Sequence, residues 1–129
     1  MRVLVTGHSG YIGTVLVPML LEAGHEAVGL DSDLFARCTF GEEPRAIPTL
    51  KKDIRDIEAA DLDGFEAVMH LAGLSNDPLG DFNPALTEEI NYEASVRLAR
   101  LAKGMGVTRF IFSSSCSNYG AAGEDLLDE

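Results

Sequence analysis

The sequence has little of what marks secreted, zinc-stabilised or membrane-spanning proteins. Its 129 residues include no tryptophan and two cysteines. Cys38 and Cys116 lie far apart, without the spacing of a structural zinc site or a disulfide framework. No apolar run approaches the roughly 20 residues that a membrane-spanning helix needs. Because Met1 leads straight into a strand-like segment, we expect a soluble, cytoplasmic protein with reduced thiols and no membrane partner.

Basic residues are also scarce. The chain has 10 lysines and arginines against 21 acidic residues, for a formal net charge of −11. Nucleic acids are bound mainly through clustered basic side chains, so we expect no nucleic-acid partner. Main-chain amides at a helix N-terminus bind phosphate without a basic surface, so an anionic ligand remains compatible with this charge. The length predicts one domain over residues 1–129.

Three glycines follow the first apolar segment of the chain. Gly7, Gly10 and Gly13 come directly after Val3-Leu4-Val5 and open a stretch with helical periodicity. In a dinucleotide-binding turn, such glycines permit the tight turn, the approach of a pyrophosphate and close packing of helix on strand. Their spacing of three and three differs from the commoner two and three. The pattern therefore needs a second signal.

Asp31 supplies that signal at the end of the second apolar segment, eighteen residues after Gly13. An acid at about this distance accepts hydrogen bonds from the adenosine ribose and repels a 2′-phosphate. We therefore expect NAD rather than NADP as the cofactor. The alternative is an ordinary strand-helix connection followed by a solvated acid.

Strand-like and helix-like segments alternate along the chain. The patterns predict strands at 2–6, 26–30, 46–50, 67–72 and 109–112, and helices at 11–23, near 56–61 and at 84–103. Pro18 should kink the first helix, and Pro48 favours an edge position for the third strand. The predicted loop at 32–45 should be poorly ordered or face a substrate.

This alternation predicts an α/β fold, a Rossmann-type doubly wound parallel sheet with strand order 3-2-1-4-5, truncated after the fifth strand. Ligands of such sheets bind beyond the carboxyl ends of the strands, where the order reverses between strands one and four. The glycine turn, Asp31, Asp53, Leu71 to Ser75 and Ser113 to Ser115 all fall at those ends.

Several motifs in this order resemble a known family. They are Val3 to Gly13, Leu30-Asp31, Lys52-Asp53-Ile54, His70-Leu71-Ala72-Gly73, Asn91, Phe110 to Ser115 and Asn118-Tyr119-Gly120. With them the chain resembles the extended short-chain dehydrogenase/reductases, specifically the NAD-dependent epimerases and dehydratases of nucleotide sugars, such as UDP-galactose 4-epimerase. The resemblance covers essentially all 129 residues.

The resemblance implies a set of cofactor-binding positions. They are Gly7, Gly10, Tyr11, Ile12, Gly13, Asp31, Asp53, Ile54, Leu71, Ala72, Gly73, Asn91 and Ser113. Within this set, the amides of Tyr11 and Ile12 would bind the pyrophosphate, and Asp53 with Ile54 would frame the adenine. Some of these positions have a purely structural role as the alternative to cofactor binding. Asp53 would cap a short helix, residues 71–73 would pack at a strand end, and Asn91 would fix neighbouring loops.

The resemblance also implies a hydride transfer that uses a tyrosinate base, a lysine four residues later and a Ser or Thr hydroxyl. Ser115 matches the hydroxyl position, with a structural strand-end serine as the alternative. No tyrosine has the required lysine, since the pairs are Tyr11/Val15, Tyr92/Val96 and Tyr119/Gly123. We therefore expect the amino-terminal, NAD-binding part of a longer enzyme, without turnover by itself and without a metal.

Two other functions remain open at this stage. A stand-alone dinucleotide-binding or sensor module would carry the same front-end motifs, and a Rossmann-like methyltransferase is disfavoured by the glycine spacing and the serine run. In the enzyme, the substrate is expected to be a nucleotide sugar. Because strand five would leave an unpaired edge and the long helix resembles a family dimer element, we expect a homo-oligomer, most simply a dimer.

Overall fold

The computed structural model describes residues 1–35, 38, 45–75 and 82–115. Across these residues, five strands form one sheet in the order β3-β2-β1-β4-β5, which confirms the predicted order. The strands are β1 (Arg2–Thr6), β2 (Glu26–Asp31), β3 (Thr49–Lys51), β4 (Ala67–His70) and β5 (Arg109–Phe112). All four strand pairs are parallel, so the carboxyl ends of the strands lie along one edge, called here the carboxyl edge.

Apolar side chains cover both faces of the sheet, as a buried parallel sheet requires. On one face, Val3 and Val5 of β1 pack with Val17 of helix α1 (Tyr11–Glu22). On the other, Leu4 of β1 packs in a cluster with Leu98. Successive residues of a strand point to opposite faces, so β1 contributes to both layers of the core.

Helix α1 starts at the predicted residue and ends one residue early, at Glu22. It is assigned as one helix across Pro18, although proline cannot donate the main-chain hydrogen bond at that position. The helix ends where Gly24 adopts a φ of +80°, a left-handed conformation that glycine reaches without strain. The kink expected at Pro18 stays a prediction.

The third strand begins three residues later than the sequence pattern predicts. The structure assigns β3 to Thr49–Lys51 rather than 46–50, at the predicted edge of the sheet. Pro48 has no N–H to donate, and its carbonyl accepts from Gly29 N of β2 at 2.9 Å. The ladder of paired residues therefore begins after the proline.

The prediction of a helix near 56–61 is also wrong. Two short 3₁₀ turns, Ile54–Asp56 and Ala59–Leu62, occupy this segment. The extended residues Ile57 and Glu58 separate them. Asp53 caps the first turn by accepting from Arg55 N, and the side chain of Asp61 accepts from Glu58 N at 2.8 Å at the start of the second. Each turn is anchored by one buried side chain, Ile54 in the first and Leu62 in the second.

The long helix expected at 84–103 is interrupted. It comprises α2 (Pro84–Glu88), a π-helical turn (Glu89–Glu93) and α3 (Ala94–Gly104). Asn83 caps its start by accepting from Leu86 N at 3.2 Å. A π turn inserts one extra residue per turn, which a pattern of apolar side chains does not reveal.

Strand β4 ends at His70, two residues before its predicted end, because residues 71 and 72 already leave the ladder. β5 matches its predicted bounds and forms an edge of the sheet, with Phe110, Ile111 and Phe112 exposed by 37%, 48% and 53%. No helix in the described part of the chain is long and apolar enough to cross a membrane. Most of the predicted loop at 32–45 lies outside the described residues.

Candidate functional site

The turn after β1 is built so closely that side chains would not fit. Gly7 has a φ of +72°, and a Cβ on it would lie 2.8 Å from the main-chain nitrogen of Ala72. Its own N–H donates to Leu30 O at 2.8 Å, which ties the turn to the end of β2. The turn therefore lies against both neighbouring strands, at the predicted switch point of the sheet.

Gly10 and Gly13 set the start of α1. Gly10 is the N-cap and has no side chain that could bond the first amides of the helix. A Cβ on Gly13 would lie 2.6 Å from Gly7 O and would also collide with His8 O. The first amides of a helix lack intrahelical partners, so those of Tyr11, Ile12 and Gly13 form an anion-binding geometry at the carboxyl edge.

Asp31 lies at the end of β2, and its carboxylate is held by two main-chain amides. Oδ2 accepts from Ser9 N at 3.0 Å, and Oδ1 accepts from Asp33 N at 2.9 Å. The first of these bonds fixes the acid directly to the glycine turn. A carboxylate has about four acceptor positions, so each oxygen keeps capacity for a ligand hydroxyl.

Asp53 is bound largely by its own neighbour. Its carboxylate accepts from Arg55 N at 2.9 Å, from Arg55 Nε at 3.0 Å and from Arg55 Nη2 at 2.8 Å. These hydrogen bonds from Arg55 lower the pKa of the Asp53 carboxyl. Asp53 thus makes the capping contact named above as the alternative, while its contact with adenine stays a prediction. Ile54 is buried in the core, so it could reach a ligand only through its main chain.

The segment after β4 is held by the amide of Asn91. Asn91 Oδ1 accepts from Leu74 N at 2.7 Å, and its Nδ2 donates to Leu74 O at 2.8 Å. A Cβ on Gly73 would lie 3.1 Å from Asn91 Oδ1, which is tighter than ordinary contact. Asn91 therefore fixes the loop, the structural alternative given above. It does so from within the π turn, a feature frequent at functional sites.

A buried polar chain lies directly below this loop. His70 Nδ1 is 2.6 Å from Thr6 Oγ1, and Nε2 is 2.7 Å from Ser95 Oγ. Thr6 Oγ1 accepts from Ala72 N at 3.3 Å, and Ser95 Oγ donates to Asn91 O at 2.8 Å.

The directions of these bonds assign the proton of His70. The Ser95 hydroxyl donates its hydrogen to Asn91 O, so its oxygen accepts from His70 Nε2–H. The other ring nitrogen, Nδ1, then accepts from the hydroxyl of Thr6. The ring is neutral, because burial lowers the pKa of His70 to about 4. The chain of bonds thereby joins the ends of β1 and β4 to the π turn without a buried charge.

The serines after β5 complete the carboxyl edge. Ser113 N donates to His70 O at 3.1 Å, so Ser113 continues beside the end of β4. Ser113 and Ser115 are both exposed. In the described residues, no group of three or more His, Cys, Asp or Glu side chains could hold a metal ion. Tyr119 and its neighbours lie outside the described residues.

Sequence reasoning missed four polar residues that shape this edge: His8, Thr6, His70 and Ser95. His70 gave a signal as the one polar side chain in an apolar strand, and Ser95 follows Asn91 by one helical turn. Thr6 gave none, because threonine is common in strands. His8 stands inside the glycine motif, where the expected roles fall on the glycines, Tyr11 and Ile12.

A glycine turn at the switch point of a 3-2-1-4-5 sheet, with an acid at the tip of β2, defines the Rossmann class of dinucleotide-binding domains. The sequence profile of the NAD dependent epimerase/dehydratase family matches residues 3–129. The chain belongs to this family, within the extended short-chain dehydrogenase/reductases.

Individual relatives agree with this assignment. A UDP-glucose 4-epimerase of Klebsiella pneumoniae is 34% identical over 129 residues, covering 93% of both sequences. The structure of a UDP-N-acetylglucosamine 4-epimerase from Methanobrevibacter ruminantium superposes with a TM-score of 0.86 at 27% identity, covering 99% of this chain and 42% of that one. A Thermus thermophilus UDP-glucose 4-epimerase in complex with NAD gives 0.75 at 28% identity, covering 89% and 38%.

The matched length varies among relatives. The chain spans nearly all of the Klebsiella sequence but only 32% of a rice UDP-glucose 4-epimerase and 41% of the mouse enzyme.

Proposed function

We propose that this chain is the NAD-binding portion of an NAD-dependent nucleotide-sugar epimerase or dehydratase, over residues 1–129. The observation that carries the proposal is the bond between Asp31 and Ser9 N, which joins the ribose-binding acid to the glycine turn at 3.0 Å. Family membership and the complex of a related epimerase with NAD support it.

The residues of the turn fit a diphosphate. A Cβ on Gly7 or Gly13 would collide with main-chain atoms of the protein, so these glycines let the turn close tightly, and Gly10 places no side chain over the first amides of α1. Tyr11 and Ile12, whose side chains are exposed, would bind the diphosphate through their main-chain N–H groups. Bound NAD would supply a nicotinamide that exchanges hydride with a sugar carbon.

Asp31 fits the adenosine ribose and favours NAD over NADP. Its two oxygens are already oriented by main-chain donors, so little conformational freedom is lost when ribose hydroxyls bind. A 2′-phosphate would meet the same carboxylate and be repelled. Asp53 and Ile54 would flank the adenine, and Leu71, Ala72, Gly73, Asn91 and Ser113 would line the remainder of the cofactor.

Catalysis would need more than these residues supply. Ser115 would hydrogen-bond the reacting oxygen of a nucleotide sugar, yet these 129 residues contain no tyrosine followed four positions later by lysine. We therefore expect NAD binding without turnover by this chain alone. Turnover of a nucleotide sugar by it would overturn this part of the proposal.

Isothermal titration calorimetry with NAD tests the proposed function. Asp31→Asn removes the charge at the ribose and should weaken NAD binding about tenfold or more. Asp63→Asn is the matched control, because Asp63 is exposed and precedes β4, at the amino ends of the strands and away from the carboxyl edge. Equal affinity of the Asp31→Asn and Asp63→Asn variants would contradict the proposal, and so would an unmodified chain that does not bind NAD.

A further inference from the structure

The ends of β2 and β3 place an acid and a lysine side by side on one face of the sheet. Gly29 of β2 pairs with Thr49 of β3 in the parallel register. Two positions further along, Asp31 pairs with Lys51, and residues two apart in a strand point to the same face. That face carries the His8 ring, because a Cβ on Gly29 would lie 2.5 Å from three ring carbons and Thr49 Oγ1 is 3.2 Å from His8 Nε2. Asp31 and Lys51 are therefore cross-strand neighbours on the side of the glycine turn.

The lysine nevertheless pairs with a different acid. Adjacent strands lie about 4.8 Å apart, so a lysine in this register can reach the carboxylate opposite it. Instead, Lys51 Nζ lies 3.1 Å from Asp33 Oδ2. The carboxylate of Asp31 accepts from the main-chain amides of Ser9 and Asp33, at 3.0 and 2.9 Å, and His8 Nδ1 lies 3.9 Å from its Oδ2.

Asp33 acts on this site through its main chain and its side chain separately. It adopts a left-handed φ of +58°, which aspartate and asparagine tolerate better than most residues. In this conformation its N–H donates to Asp31 Oδ1 while its carboxylate pairs with Lys51. Asparagine would keep the N–H and tolerate the same φ but would carry no charge. The substitution Asp33→Asn therefore separates the ion pair from the support of Asp31.

The ion pair itself contributes little to the stability of the fold. The side chains of Lys51 and Asp33 are 73% and 28% exposed, and pairs exposed to this extent are weakened by solvent. Its removal should leave the fold intact. A change in dinucleotide preference after its removal can therefore be assigned to the site.

We propose that Asp33 is a specificity-determining residue for the dinucleotide, because it engages the lysine that would otherwise bind a 2′-phosphate or offset the charge of Asp31. This inference rests on the proposed NAD site, in which Asp31 binds the adenosine ribose. Without the charge of Asp33, the Lys51 ammonium group is available to phosphate oxygens, which are strong acceptors for lysine. It is then also available to Asp31, whose repulsion of a 2′-phosphate it would weaken. Both effects favour NADP.

A double-mutant cycle tests the inference, with the unmodified chain, Asp33→Asn, Lys51→Gln and the variant that combines them. NAD is titrated calorimetrically with and without excess NADP, so that a weak Kd of NADP is obtained from the apparent loss of NAD affinity. A pH of about 8 keeps the 2′-phosphate ionised, and low ionic strength limits screening. Asp63→Asn is again the control, because it removes the same charge at the amino ends of the strands.

The Kd of NADP divided by that of NAD should be about tenfold lower in Asp33→Asn than in the unmodified chain, and unchanged in Asp63→Asn. When Lys51→Gln is present, Asp33→Asn should lower the ratio by about threefold or less, because only the loss of one negative charge remains.

Equal falls with and without Lys51 would overturn the inference while leaving NAD binding intact. An unchanged ratio in Asp33→Asn, or an equal fall in Asp63→Asn, would overturn it as well. Absence of NAD binding by the unmodified chain would overturn the proposed function together with it.

Discussion

Thr6 and His70, on neighbouring strands, form a hydrogen bond of 2.6 Å in which neither side chain is exposed. Both residues end their strands, at the point where the main chain turns toward the candidate cofactor site. The bond therefore supports the loop after β4 from below, and it requires a neutral imidazole.

Acidification should destabilise the fold through His70. Burial lowers its pKa from 6.5 to about 4, so the unfolded chain takes up a proton in a range where the folded chain does not. Stability is thus fully present above about pH 6.5 and is lost as the pH falls toward 4, by about 3 kcal/mol in total. Urea unfolding across this range measures the loss.

The variant His70→Gln provides the comparison for that experiment. It should be less stable at neutral pH, because it disturbs the bonds to Thr6 and Ser95. Its stability should depend less on pH between 6.5 and 4. If the free energy of unfolding of the unmodified chain were constant between pH 6.5 and 4, the assignment of a buried, neutral His70 would be contradicted.

Gly29→Ala should be destabilising by about 1–3 kcal/mol, since the added methyl group would overlap the ring of His8. The companion variant His8→Ala removes the ring. In the double variant, the cost of Gly29→Ala should largely disappear, and urea unfolding of all four proteins gives the coupling free energy. Additive costs would show that His8 does not occupy this position.

Asn91→Ala should cost about 1–3 kcal/mol, because it leaves the N–H and the carbonyl of Leu74 without their partner. Asn91→Asp separates the two bonds, since it keeps the acceptor and removes the donor. Hydrogen exchange of the Leu74 amide reports the effect locally: we expect fast exchange in Asn91→Ala and slower exchange in Asn91→Asp. Unchanged exchange in both would contradict the role of Asn91 in holding this loop.

The sequence predicts the strand order and the glycine turn but not the interruptions of the helices. Strand order followed from the alternation of segments and the handedness of parallel crossovers, and the structure agrees. The glycine turn and Asp31 were predicted because their spacing reflects local geometry. Interruptions were not predicted: the π turn around Asn91 and the paired 3₁₀ turns depend on tertiary contacts and on capping side chains.

The partners of polar side chains were similarly beyond the sequence. Asp53 is separated from Arg55 by one residue, yet nothing in the pattern showed that this arginine would take three of its hydrogen bonds. The bond between Thr6 and His70 joins residues 64 positions apart and appears only after the strands pair. Registers and rotamers decide such contacts, and they are properties of the folded chain.

Self-association is the expected behaviour of β5. Its outer edge is unpaired in the described sheet, and Phe110, Ile111 and Phe112 are partly exposed. Ile111→Lys places a charge on this edge and should shift the chain toward monomer in multi-angle light scattering. A strictly monomeric unmodified chain at high concentration would contradict the prediction.

The central claim is that the turn between β1 and α1 binds the diphosphate of NAD while Asp31 binds the adjoining ribose. A crystal structure of the chain with NAD tests it most directly. We predict diphosphate oxygens within hydrogen-bond distance of the amides of Tyr11 and Ile12, and ribose hydroxyls on Asp31. NAD bound elsewhere on the chain, or a crevice that stays empty at saturating NAD, would contradict the claim.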